Sequence, residues 1–284
     1  MFWALLLVLL SALSASAATP AEAAAADTAP HSSWQQVSPY DQSSYDTNAE
    51  RQLLDMANAD RARAGRPPLK MDAGLVKAAR AHAAEMASRR ELSHQFSGEP
   101  ALTQRVSANS MLHLDREGEN VAIATTADDA HQALMASAPH RDNLLSPNFN
   151  VAGMGVFRKN NRIYVAQDFG DSLPSYTVKQ AQELVAESVE QLRTQAKMPR
   201  LQRASSSSAD ASACAMAQSD SLTTATPPAG TYMLRYASMQ PETLPPAISK
   251  VISQRGLHTY SAGTCYARTQ KYPGGAYWVV LMFY

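Results

Sequence analysis

The sequence predicts an α+β fold in two halves, on three observations. Apolar residues recur at helical spacing up to glycine and proline stops. Two apolar strands then meet at an Asn-Asn turn. The same order of elements recurs, in diverged form, after residue 179.

The chain opens with MFWALLLVLLSALSASAA, an apolar run that gives way to small residues, and Ala15-Ser16-Ala17 fits a cleavage site. Residues 1–17 therefore read as a signal peptide and the mature protein as secreted or periplasmic. The run is shorter than the ~20 apolar residues needed to span a bilayer, and no later stretch predicts a stable membrane span. Residues 18–47, rich in Ala, Ser, Thr and Pro, read as a linker that contains His31, Trp34 and Tyr40.

A first domain is expected over 48–170. Leu53, Leu54, Ala57 and Arg61 share a helical stripe over 50–64, ended by Gly65 and Pro67-Pro68. Asp72 suits the cap of a second helix reaching about residue 89, with Leu75, Ala78, Ala79, His82 and Met86 on its inner stripe. Residues 98–120 read as irregular, with a short helix over 102–106, and a further helix is expected over 128–136. Strands over 151–158 and 162–168 join at Asn160-Asn161.

After a linker at 171–178, residues 179–284 read as a reduced repeat of this plan. A shift of 132 places Arg193 on Arg61, Ala196 on Ala64, Pro199 on Pro67 and Leu201 on Leu69. Ala262-Gly263-Thr264-Cys265 parallels Ala152-Gly153-Met154-Gly155. A Pro-rich stretch, 222–259, replaces the longer 87–151, and His258 is the half's one histidine.

With 25 basic and 25 acidic residues the formal charge is zero, so no field gathers nucleic acid and none is expected as a partner. Cys214 and Cys265, the two cysteines, are a candidate disulfide worth ~2–4 kcal/mol in an oxidising compartment. Two buried thiols are the alternative.

Three polar residues of the first half are the candidates for chemistry. His94 follows the second helix, Glu119 lies in Gly118-Glu119-Asn120, read as a turn, and His140 follows Pro139 at a helix start. Ser137 reads as the cap of that helix rather than a nucleophile. His82 is expected to pack beneath the site, and His113 and His131 to be exposed.

Together these residues sit in a longer pattern: Asn58-x-x-Arg61, Gly65-x-x-x-Leu69, Ala79-x-x-His82-Ala83-x-x-Met86, Ser93-His94, Arg105, Gly118-Glu119-Asn120-Val121-Ala122, Ser137-x-Pro139-His140-Arg141-x-Asn143-Leu144-Leu145, Gly153-x-Gly155-Val156 and Gln167-Asp168-Phe169-Gly170. Over 48–170 this resembles the bacterial branch of the CAP superfamily, named for cysteine-rich secretory proteins, antigens and pathogenesis-related proteins. The resemblance implies a three-layer α-β-α sandwich around a small antiparallel sheet. It also implies a cleft where His94, Glu119 and His140 meet. Animal and plant members add a second glutamate after a Trp; here Leu134-Met135-Ala136-Ser137 has neither, as is usual in the bacterial branch.

Two imidazoles and a carboxylate are a ligand set for zinc or another divalent metal, and some members of the family bind metal there. The alternative keeps Glu119 as the hydrogen-bond partner that orients an imidazole. Three functions follow as expectations. One is a binding module for a lipid-like, apolar or cell-envelope ligand. Another is a metal-dependent hydrolase of peptide or envelope polymer. The last is an interaction protein that works through its C-terminal half.

Overall fold

The computed structural model describes residues 44–223 and 231–284. The expected signal peptide, His31, Trp34, Tyr40 and most of the expected linker lie outside the described residues. Order begins before Asn48, because Tyr45 is buried edge-to-face on Phe157 with ring centroids 5.3 Å apart.

The first half runs α1 (Thr47–Arg63), β1 (Lys70–Met71), α2 (Ala73–Arg89), α3 (Leu102–Asn109), β2 (His113–Ala124), α4 (Ala127–Ala136), α5 (Ala138–Leu144), β3 (Val151–Lys159) and β4 (Arg162–Leu173). Caps set the helix starts: Asp46 accepts from the Ala49 amide, and Asp72 from the Leu75 amide at 2.9 Å. Asn160 and Asn161 both take positive φ, as a two-residue hairpin turn requires.

The sheet order is β1-β3-β4-β2, with β1 parallel to β3 and the other pairs antiparallel. Both faces are covered, which explains why β3 and β4 are nearly unbroken apolar runs. Ile163 and Val165 join α1 and α4 on one face, while Tyr164 and Ala166 join α2 on the other. The layering is α-β-α. Gly153 and Gly155 let the α2 backbone lie directly on β3, since a Cβ on either would collide with the Leu75 or Ala79 backbone.

The second half runs α6 (Val178–Gln195), β5 (Gln202–Arg203), α7 (Ser207–Gln218), β6 (Tyr232–Ser238), α8 (Ile248–Ile252), β7 (Thr259–Ala267) and β8 (Ala276–Phe283). Its sheet order is β5-β7-β8-β6, with the same pattern of parallel and antiparallel pairs. α6 and α8 cover one face and α7 the other. Cys214 on α7 and Cys265 on β7 form a disulfide, with Cα atoms 5.1 Å apart.

Four local expectations need correction. Residues 98–120 hold the expected short helix, as α3, but the rest is not irregular: most of β2 lies there, and its charged first residues mask a strand signal. The connection between halves is 174–177 rather than 171–178, because β4 continues to Leu173. The stretch 222–259 contains the edge strand β6 and helix α8. His113 and His131 are buried, His113 beneath the rings of Tyr266 and Tyr277, His131 against Asp60 of α1 at 2.7 Å.

Candidate functional site

β2 is an edge strand, and the site sits astride it. Neighbouring residues of a strand point to opposite faces, so Glu119 and Asn120 reach over opposite sides of the sheet. Glu119 meets the loop after α2: His94 Nδ1 donates to its Oε1 at 2.9 Å. Asn120 meets α5, donating to the His140 carbonyl at 3.0 Å and to Gln167 Oε1 at 3.2 Å. Asn143 closes the bracket by donating to the Glu119 carbonyl and to Asn120 Oδ1. Two histidines from opposite layers thereby come together, with ring centroids 6.3 Å apart and planes within 25°.

Glu119 is therefore in mid-strand, not in a turn. At Gly118 before it, a Cβ would stand 2.8 Å from Cζ of the Phe149 ring, which would have to shift. Ser137 stands at the N-cap position of α5 but makes no capping bond. Its Oγ lies 2.9 Å from His140 Nδ1 instead.

Beneath the exposed His94 and the half-buried His140 lies a buried charged network. Arg105 of α3, 1 % exposed, donates to Glu119 Oε2, to the Pro100 carbonyl and to the His94 carbonyl. His82 is buried with Nδ1 2.6 Å from Glu99 Oε1 and Nε2 2.8 Å from the Ser93 carbonyl, underneath the site as expected. Burial works against an ionised Glu99. The bonds from His82 and the Phe96 amide outweigh it and hold this carboxyl below the usual range. Asp168, the register partner of Glu119, is fully buried and neither oxygen finds a donor. Burial and the adjacent Glu119 carboxylate push Asp168 well above the ordinary carboxylate range.

The two histidines are tuned apart. The bond to Glu119 raises His94, against the opposing effect of burial. Burial, with the neighbouring His94 charge, lowers His140. At neutral pH the pair thus favours charge on His94, whose side chain is 58 % exposed.

Glu99, Arg105 and Asp168 take part without a role read from the sequence, and Ser137, read as a cap, faces His140 instead. Asp168 was visible as a carboxylate inside an apolar strand, Tyr164 to Phe169, which signals a paired or neutral acid. Glu99 carried no comparable signal.

Residues 54–169 match the CAP model, the cysteine-rich secretory protein family. The first half is a CAP domain. A Bacillus subtilis (strain 168) protein, the uncharacterized YkwD, is 31 % identical over 124 residues, which are 43 % of this chain and 47 % of that one. The chain therefore spans about half the length of this curated relative. An extracellular protein with an SCP domain from Bacillus anthracis str. Ames is 27 % identical, over 44 % of this chain and 41 % of its own, with a TM-score of 0.41. The crystal structure of Na-ASP-1 covers 87 % of this chain and 91 % of its own at 6 % identity, with a TM-score of 0.50; it shares the fold across both halves. Among the described residues, no helix is long and apolar enough to cross a membrane.

Proposed function

We propose that the CAP domain is an exported binding module that uses His94, Glu119 and His140 to hold a lipid-like or cell-envelope ligand. One observation carries the preference for binding over turnover: both Glu119 oxygens are engaged, Oε1 by His94 and Oε2 by Arg105. A carboxylate held in two charge-assisted bonds is an orienting group, not a free general base. Export is supported by the N-terminal apolar run and its small-residue end.

Zinc fits this donor set in one form only. Nδ1 of His94 is engaged by Glu119 and Nδ1 of His140 by Ser137, which leaves Nε2 of each ring for a metal, with Glu119 as the outer partner that orients His94. The full set with Glu119 as third ligand does not fit, and among the described residues no group of three His, Cys, Asp or Glu is placed to hold a metal ion. When bound by the two histidines, zinc would supply a Lewis-acid anchor for an anionic head group.

The second half, in our reading, is a reduced CAP-like unit without the site. Its sheet order supports this, as does Arg193, which bonds the Pro199, Ile252 and Gln254 carbonyls much as Arg61 bonds those of Pro67, Leu144 and Ser146.

The test is native purification of the exported protein, solvent extraction and mass spectrometry, with zinc titration in parallel. Wild type should yield a co-purifying ligand and bind zinc, and His94→Ala with His140→Ala should lose both. Retention of ligand by the double variant would refute the reading. A second reading, hydrolysis, is favoured by the Ser137–His140 contact, the geometry of a nucleophile beside a base. It requires that envelope peptides be turned over and that Ser137→Ala abolish the turnover.

A further inference from the structure

The two halves touch at the corner where α3 turns into β2. α3 lacks a basic residue in its last turn, so it brings no positive charge of its own to the carbonyls at its C-terminal end. Arg268, which directly follows β7 in the second half, supplies that charge. Its Nη1 donates to the Ser107 carbonyl at 2.8 Å and to the Ser110 carbonyl at 2.7 Å, and its Nη2 donates to the Leu112 carbonyl at 2.8 Å. One planar guanidinium thus holds the end of the helix and the entry to the strand in a single fork, which a point charge on a flexible stem cannot reproduce.

Both segments gripped in this way carry the site. Arg105, two residues before Ser107, is the group that engages Glu119 Oε2 and the His94 carbonyl. Glu119 itself lies six residues beyond His113, the first residue of β2. Gly274 of the second half adds a close approach, since a Cβ there would stand 2.5 Å from the Leu114 carbonyl oxygen. A second anchor acts from within the first half, where Ser110 Oγ donates to Asp72 Oδ1 at 3.0 Å.

We infer that Arg268 is a positioning residue for the histidine site: it fixes the α3–β2 corner, hence the Arg105–Glu119 pair, hence the orientation of the His94 imidazole. The second half then serves the first half's site without contributing a side chain to it. This rests on taking His94, Glu119 and His140 as the working site, but it predicts a property of the imidazoles that needs no ligand.

The test uses the full chain, labelled with nitrogen-15, and reads the imidazole ring signals at neutral pH in Arg268→Ala and Arg268→Lys. Arg268→Ala should shift the His94 ring signals while leaving those of His131, on the opposite face beside Asp60, in place. Arg268→Lys should restore them part-way. Lys271→Ala, whose partner is Asp220 in the second half, should shift neither. If the His113 signals report a disturbed interface while His94 is unmoved, the inference is overturned; should the alanine variant not fold, the lysine variant is read by the same two criteria. Shifted His94 signals in a protein that retains no ligand would leave this role standing and overturn the function proposed above.

Discussion

The two halves of the chain build sheets of the same strand order, yet among the described residues the second has no counterpart of the His94–Glu119–His140 cluster. Gly153 pairs with Asp168 in the first sheet, and Gly263 pairs with Val280 in the second. Across the edge strand, Asp168 faces Glu119 while Val280 faces Arg235; Gln167 faces Asn120 while Val279 faces Tyr236. The four groups that set the site are thus met by two valines, an arginine and a tyrosine. What the halves share is the machinery of helix–sheet packing: a buried arginine near the end of the first helix and a glycine under the second. Scaffold and site are separable, and the scaffold is carried by residues that never touch the site.

The comparison is broken most strongly at the buried arginines. Arg61 satisfies four carbonyls, those of Pro67, Leu144, Ser146 and Phe149, whereas Arg193 satisfies three. Arg61→Ala should destabilise the protein by about 3–5 kcal/mol, because buried acceptors are left without donors. Arg193→Ala should cost less, and chemical denaturation of the two variants checks the order. Arg61→Ala should also disturb His140, since Leu144 and Ser146 end the α5 segment that carries it.

The next effect belongs to the second half alone. Cys265 occupies the place in β7 that Gly155 occupies in β3, each two residues after the glycine on which the second helix rests. Where the first half brings helix and strand into backbone contact, the second joins them by the disulfide to Cys214. Replacing both cysteines by alanine should cost about 2–4 kcal/mol. Hydrogen exchange should show the loss in α7 and β7 with the first half unaffected; equal loss in both halves would show that they do not unfold as separate units.

Shared packing gives a smaller and symmetrical effect. A Cβ on Gly153 would collide with the Leu75 backbone, and one on Gly263 with the Ala209 backbone. Gly153→Ala and Gly263→Ala should each lower stability by about 1–3 kcal/mol through overpacking, as read by calorimetry. A neutral result at either position would end the claim that the two halves close in the same way.

Much of the first half was legible in the sequence, and the exceptions share a cause. α1, α2 and the β3–β4 hairpin carry strong periodicity and clear caps, so local physics specifies them. β2 begins with His113-Leu114-Asp115-Arg116-Glu117-Gly118, where charges and a glycine mask a strand whose start lies at the sheet edge. His94, Glu119 and His140 could be named from their order in a family pattern, but the reason they meet could not. It lies in the alternation of Glu119 and Asn120 across an edge strand, and that needs β2 to be known as a strand. Arg105 stood in the motif without a role, because its bond to Glu119 depends on α3 and β2 meeting at a corner held partly from the second half. His113 and His131 were misplaced for a related reason: each is covered by a partner distant in sequence.

The smallest predicted effect probes that corner through pH. His113 is 1 % exposed, packed edge-on against the rings of Tyr266 and Tyr277, with Nδ1 3.3 Å from the Pro174 carbonyl and Nε2 without a partner. Burial lowers its pKa; the Pro174 carbonyl, Asp115 and the Gly275 backbone oppose the shift, and Arg268 reinforces it. The folded value therefore lies below the unfolded value of about 6.5, and the unfolded chain takes up the proton first as the pH falls. The stability that depends on neutral His113 is complete above that value and is lost as the pH drops through it toward the folded pKa. Thermal unfolding should show this loss as the pH falls below about 6.5, and His113→Phe, which keeps a ring against the tyrosines but cannot titrate, should show a shallower one. Parallel pH profiles for the two proteins would mean that the interface between the halves does not sense this histidine. A steeper loss in wild type would tie the docking of the second half, and through Arg268 the site itself, to the protonation of one buried ring.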